Sequence, residues 1–319
     1  MNLVRRTPME NDRWWLEHSK EQEEMGRRKW GSLGCLNWLL VAIFLGAGGA
    51  SASAQFQDAQ EASGVSHQAI EAVSGERSTW NGFSRVDFTV DGRKVTVVEP
   101  RQVLKGRPWV WHREFFGHRP IPDVALLGRG HHVVYAPFSD QFGGPTAIAH
   151  WENVYQQLIQ HFSLSPQSAL VGTSRGGLYC YNWAARYPER VSCIFGDAPV
   201  CDLKSWPLGM GTGTRSEAEV AKLLAVYGVE NVPRLLEVAI NPIDRLQPIA
   251  QRHIPILHVS GDADAIVPLA ENTEAMQKAY QALGGKMEVI VKPGIGHVHG
   301  LEDSTPIVEF IDRYRPGQD

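Results

Sequence analysis

The segment Leu170-Val171-Gly172-Thr173-Ser174-Arg175-Gly176-Gly177 constrains this chain more than any other. An apolar strand runs into Gly-x-Ser-x-Gly and directly out into a helix. A serine at such a turn sits on strained backbone, and side chains at the flanking positions would meet the neighbouring strand and helix. The turn leaves the hydroxyl exposed at a helix N-terminus, beside N–H groups free to hold an oxyanion. The alternative is a purely structural turn.

The surrounding pattern fits that turn. Phe83–Val90 and Arg93–Val98 alternate apolar and polar around Asp91-Gly92, which predicts a hairpin. Strands are expected at Trp109–Trp111, His132–Ala136, Ala169–Gly172, Val191–Ala198, Pro255–Gly261 and Met287–Val291. Helices are expected at Asp123–Arg129, Thr146–Phe162, Gly176–Arg186, Leu269–Leu283 and Ile307–Tyr314. Alternation of this kind predicts an α/β fold: a mostly parallel, doubly wound sheet covered on both faces and opened by an antiparallel hairpin. About 202–251 lacks a strand. There Ser216 and Glu219 read as a capping box opening a helix through Val226, and a second short helix is expected near Pro233–Val238. This stretch reads as a small helical cap over the C-terminal strand ends, where ligands bind in such sheets.

A serine hydroxyl is a poor nucleophile without a base, so partners are required. In chain order an acid and then a histidine should follow later strands. Strand 256–261 leads to Asp262-Ala263-Asp264-Ala265-Ile266-Val267-Pro268, and strand 289–291 leads to Pro293-Gly294-Ile295-Gly296-His297. With these three motifs in order, the sequence from about Val95 onward resembles the α/β-hydrolase superfamily, specifically its dienelactone-hydrolase and prolyl-oligopeptidase-like branches. The resemblance implies an α/β-hydrolase fold, with Ser174 as nucleophile, Asp264 as acid and His297 as base. Asp262 is the structural alternative to Asp264, and His299 the neighbouring alternative to His297. The Arg175 backbone is the expected first oxyanion donor. The second is expected from the loop after the third strand, Pro108-Trp109-Val110-Trp111-His112, with Trp111 as the candidate; the lipase-type His-Gly-Gly-Gly that would single out a donor is absent.

Further binding residues are expected at Arg175, whose side chain either meets a substrate carboxylate or pairs with Asp197 or another core acid. Trp109 and Trp206 lie near strand ends, where aromatic faces stack on sugars, although ordinary packing competes with that reading. Trp183 reads as core. The Trp-Val-Trp-His-Arg-Glu-Phe-Phe stretch and Asp197–Asp202 are similar to a subgroup of secreted bacterial hydrolases associated with polysaccharide degradation. The leading expectation is therefore an esterase working through an acyl-enzyme on acylated or methyl-esterified carbohydrates. The alternatives are a serine peptidase, suggested by Asn241-Pro242-Ile243, and a non-catalytic binding protein on the same scaffold. The histidines are scattered without ligand spacing, so neither a metal nor another cofactor is expected.

Composition adds boundaries. The chain has 319 residues, 43% hydrophobic and 21% charged, with net charge −4, which gives no reason to expect a nucleic-acid partner. Arg27-Arg28-Lys29, an apolar run over 36–45 and Ala52-Ser53-Ala54 together read as a signal peptide over 1–54, with Met25 an alternative start. The run is roughly ten residues, too short for a span, so the mature chain is expected outside the cytoplasm with no stable membrane segment. Residues 55–76 read as a linker and 77–319 as the catalytic domain. Cys180, Cys193 and Cys201 read as buried thiols, with a Cys180–Cys193 bond the alternative.

Overall fold

Two tight turns build one edge of the sheet in the computed structural model, which describes residues 75–238 and 240–317. Asn81 and Gly82 join β1 (Glu76–Trp80) to β2 (Phe83–Val90), and Asp91 and Gly92 join β2 to β3 (Arg93–Glu99). All four turn residues have positive φ, between 49° and 78°, the backbone that a two-residue hairpin turn requires. The second hairpin is the expected one. β1 is a strand that the sequence reading does not contain: its first residue, Glu76, falls at the end of the expected linker and the rest in the domain, and Asn-Gly at 81–82 is the signal for it. The predicted signal peptide and most of the linker, residues 55–74, lie outside the described residues.

The remaining strands are β4 (Trp109–His112), β5 (His132–Tyr135), β6 (Ser168–Thr173), β7 (Val191–Asp197), β8 (Ile256–Gly261) and β9 (Met287–Lys292). They form one nine-stranded sheet in the order β1-β2-β3-β5-β4-β6-β7-β8-β9, antiparallel as far as the β3–β5 pair and parallel from there. β6 is central, so its C-terminal end is flanked by loops from both neighbours.

Helices cover the two faces. They are α1 (Ile121–Gly128), α2 (Pro145–Phe162), α3 (Gly176–Arg186), α4 (Glu217–Tyr227), α5 (Val232–Glu237), α6 (Gln247–Gln251), α7 (Ala275–Ala282) and α8 (Thr305–Arg313). In α2, proline occupies the first turn, and Ala147, Trp151, Val154, Leu158 and Phe162 are buried at helical spacing. One core layer packs Ile307, Val308, Phe310 and Ile311 of α8 against Val110, Val171, Phe195, Leu257 and Val259 of the sheet. The helix expected over Leu269–Leu283 is split, because Ala270–Glu274 winds as a π-helical turn before α7 begins.

The other face holds a cluster that corrects two expectations. Trp109 and Trp111 are both buried, their rings 5.1 Å apart, and Trp111 meets Trp183 edge-on at 5.0 Å. The Trp109 indole donates to the Ser165 carbonyl at 2.8 Å, so it is core and not a sugar platform. Trp111 lies mid-strand, paired with Val134 on one side and Leu170 on the other. It is therefore not placed to supply an oxyanion donor. Its ring instead walls in the fully buried Arg113, whose guanidinium lies 4.0 Å from Trp111, 5.0 Å from Trp151 and 5.1 Å from Trp183. Burial lowers this guanidinium to about 10, so it stays charged at neutral pH. The aromatic faces compensate part of its lost hydration.

Cys180, Cys193 and Cys201 are buried free thiols, so the Cys180–Cys193 bond is not formed. No helix among the described residues is long and apolar enough to cross a membrane.

Candidate active site

Ser174 sits between β6 and α3 with φ 51°, in the left-handed region that costs a residue with a Cβ about 1–2 kcal/mol. Two backbone bonds hold it there. Its N–H donates to the Asp197 carbonyl at 2.9 Å, and its own carbonyl accepts the Val200 N–H at 2.9 Å. A Cβ on Gly172 would lie 3.1 Å from the Cys180 sulfur and from Gly177 backbone, so a side chain there would press its neighbours back by a few tenths of an ångström. Gly176 has open space around its Cβ position, contrary to the sequence expectation. The crowded residue is Gly177, whose Cβ would lie 2.6 Å from the Val200 carbonyl oxygen.

The Ser174 hydroxyl lies 2.9 Å from Nε2 of His297. On the other side of that ring, Nδ1 is 2.6 Å from Oδ2 of Asp264. Nδ1 therefore carries the proton toward the carboxylate, and Nε2 faces the hydroxyl as acceptor. Oδ1 of Asp264 accepts the Ile266 and Val267 N–H groups, each at 2.9 Å, which fixes the carboxylate plane. Burial pushes Asp264 up, but the His297 hydrogen bond, the two backbone donors and the His297 charge outweigh it and hold the carboxyl below its ordinary range. Asp264 thus stays ionised beside the imidazole.

The neighbouring acid and histidine have other partners. Asp262 accepts the Gly294 N–H at 2.6 Å, tying the two loops together. A Cβ on Gly261 would fall 2.0 Å from the Ile295 carbonyl oxygen, so that glycine too is required for the loops to meet. His299 pairs through Nδ1 with Nε2 of His118 at 3.1 Å, and its ring stands 4.9 Å from that of His297. Burial, then the charges of His297, His118 and Lys292, lower His299 to about 4, which keeps it neutral.

Asp197, buried at the end of β7, accepts the Gly300 N–H at 2.8 Å and so anchors the chain just past His297. Burial raises it to about 6 against the Gly300 bond and the charges of Lys292, His297 and Arg119. The native state therefore binds this proton more tightly than the unfolded chain does. The group's stabilisation is full below the ordinary aspartate range and is lost as pH rises through about 6. Asp197→Asn is expected to remove a loss of about 3 kcal/mol between about pH 4 and pH 7. Urea unfolding across that range should give a flatter stability profile for the variant, and parallel profiles would contradict the assignment.

Arg175 follows the serine. Its backbone N–H has no hydrogen-bond partner among the described residues. Its side chain takes the scaffold alternative, with Glu114 as the core acid in place of Asp197. Nε and Nη2 grip the buried Glu114 carboxylate at 2.6 and 3.3 Å, and Nη1 reaches Asp140 at 2.8 Å and Glu219 at 3.2 Å. Four of its donor contacts are spent on three carboxylates, and Asp197 is not among them. The guanidinium is thus a strut joining the loops after β4 and β5 to α4, not a substrate clamp. Glu219 is committed to it and to Lys222 at 2.9 Å, and no side-chain cap forms at Ser216, so the expected capping box is absent although α4 itself forms.

The insertion around 202–251 touches the same loops. Thr214 Oγ1 donates to the Ala265 carbonyl at 2.9 Å, Thr212 Oγ1 to Glu271 at 2.7 Å, and the Tyr227 hydroxyl to the Phe142 carbonyl at 3.1 Å. The insertion therefore stands beside the strand ends that carry Ser174 and Asp264. Trp206, on that insertion, is half-buried. Among the described residues no group of three or more His, Cys, Asp or Glu side chains is placed to hold a metal ion.

The nine-stranded sheet, its helices and the strand–serine–helix turn define the α/β-hydrolase fold. Solved structures with this fold include a puromycin hydrolase, 17% identical with a TM-score of 0.55, over 75% of this chain and 38% of that one. The dipeptidyl peptidase 4 of Porphyromonas gingivalis is 14% identical with a TM-score of 0.54, over 74% and 36%. A 2,6-dihydroxy-pseudo-oxynicotine hydrolase is 19% identical with a TM-score of 0.53, over 78% and 70%. The chain thus spans well under half the length of the first two. No protein-family model and no curated protein sequence matches it.

Proposed function

We propose that this protein is a serine hydrolase that cleaves carboxylic esters through an acyl-enzyme. The single observation that carries the reading is the unbroken line from the Ser174 hydroxyl through His297 to Asp264.

In the proposed reaction Ser174 Oγ attacks the ester carbonyl and its proton passes to Nε2 of His297. Asp264 holds the ring orientation and stabilises the imidazolium. The negative charge on the tetrahedral oxygen is met by the Arg175 N–H and by a donor from the backbone of Arg113 to Phe115, where the chain leaves β4 and turns through φ 58° at Phe115. The protonated ring returns its proton to the leaving alkoxide. Water, deprotonated by the same nitrogen, then releases the acid and restores the serine.

Acylated or methyl-esterified carbohydrates are the proposed substrates, with Trp206 as the remaining aromatic platform. Action outside the cytoplasm belongs to the same proposal and rests on residues 1–54. The specific alternative is peptide cleavage, since two of the neighbours are named as a puromycin hydrolase and a dipeptidyl peptidase. Hydrolysis of acetyl, feruloyl and methyl-uronate esters should be compared with that of a proline-containing peptide amide. The proposal expects turnover of at least one ester class and none of the amide. Turnover of the amide alone would replace it with a peptidase.

A further inference from the structure

The charges around Ser174 divide into two sides. On the α4 side every cation near the serine has carboxylate partners: Arg175 holds Glu114, Asp140 and Glu219, and Lys222 meets Asp140 at 3.2 Å and Glu219 at 2.9 Å. On the His297 side, where Asp264 is engaged with His297, the two nearby cations form no ion pair among the described residues. Lys292 is spent on the carbonyls of Val298 and Gly300, and among the described residues no carboxylate lies within ion-pair distance of it. Asp197 is buried and committed to the Gly300 N–H. Arg119 is exposed, and among the described residues no carboxylate pairs with it.

The backbone sets where the Arg119 stem runs. The loop after β4 turns through left-handed residues at Phe115, Gly117 and Arg119, with φ of 58°, 78° and 53°. That path lays the Arg119 side-chain stem 3.5–3.6 Å from the Cβ position of Gly300. The preceding residue, His118, is pinned to His299 at 3.1 Å, and His299 stands 4.9 Å from the ring of His297. The stem of an exposed arginine therefore lies beside the chain just past His297, and its charge is felt by the buried Asp197 without forming an ion pair. An exposed planar guanidinium in this position can match a substrate carboxylate bidentately.

We propose that Arg119 forms an anion subsite beside His297 that selects ester substrates carrying a free carboxylate close to the scissile bond, as in an acylated sugar acid. This rests on the esterase reading above and narrows its substrate class.

The test uses two acetyl esters differing in one group: an acetylated methyl glucuronoside and the matching acetylated methyl glucoside. The wild-type protein should favour the acid by about tenfold in kcat/KM, through KM, and the preference should shrink in 0.5 M salt. Arg119→Gln should bring the ratio of the two close to one, and Arg119→Lys should restore part of it. An unchanged ratio in Arg119→Gln, or no preference in the wild type, would overturn the subsite. If neither ester is turned over, calorimetric titration of the Ser174→Ala protein with methyl glucuronoside gives the answer without catalysis. Binding that Arg119→Gln weakens keeps the subsite while the esterase reading falls, and binding indifferent to Arg119, or none, removes the subsite as well.

Discussion

Ser174→Ala is expected to lower kcat by about 10⁴-fold or more on any ester the wild-type protein turns over. The hydroxyl is the only group in the hydrogen-bonded line that can form the covalent bond, so its loss leaves oxyanion stabilisation and binding alone. The φ of 51° is borne by alanine as by serine, so the fold should survive. The variant should keep the wild-type urea midpoint while losing turnover. A loss of only a few fold would mean that water attacks directly, and the acyl-enzyme would have to be abandoned.

The largest effect on stability is expected at the neighbouring residue. Arg175→Ala should destabilise the protein by about 3–5 kcal/mol, because it strands the buried Glu114 carboxylate and leaves Asp140 and Glu219 facing it. Burial already raises Glu114 despite the Arg175 bonds, and removing those bonds leaves only the Tyr179 and Ser139 hydrogen bonds against the desolvation. Most of the effect should come from Glu114, whose side chain is only 3% exposed; Asp140 is 45% exposed and contributes little. The measurement is urea unfolding of Arg175→Ala, Glu114→Gln and the double variant. Strong coupling between the two sites is expected, and additive losses would show that the strut has no energetic role.

The two residues differ in how far they were legible from sequence. Ser174, Asp264 and His297 each follow a strand of recognisable apolar pattern, and the structure places them in one hydrogen-bonded line. The information was local: a strand, a glycine turn and a polar residue at its end. The sheet was legible for the same reason, and the Asn81-Gly82 hairpin was missed only because the exposed strand before it lacks an apolar face.

What was not legible depends on distance in space. Trp109 and Trp111 sit near a strand end by counting residues, but β5 and β6 flank them on both sides and bury them. Glu219 has the spacing of a capping residue, yet an arginine 44 positions away in sequence is the better partner, since an ionised pair outweighs a single N–H bond. The partners of Arg175 come from two loops and a helix far apart in sequence, and no local pattern announces them. The strict requirement expected at Gly176 falls instead on Gly177, a distinction set by where the Val200 carbonyl happens to pass.

The central claim is that His297 and Asp264 make Ser174 a nucleophile. Covalent labelling with a fluorophosphonate probe, followed by mass spectrometry of the labelled peptide, tests it most directly, because the probe reacts with an activated serine whatever the natural substrate. The account predicts stoichiometric modification at Ser174, lost in Ser174→Ala and strongly slowed in His297→Gln. Absence of labelling in the folded wild-type protein, or modification at a different serine, would contradict it.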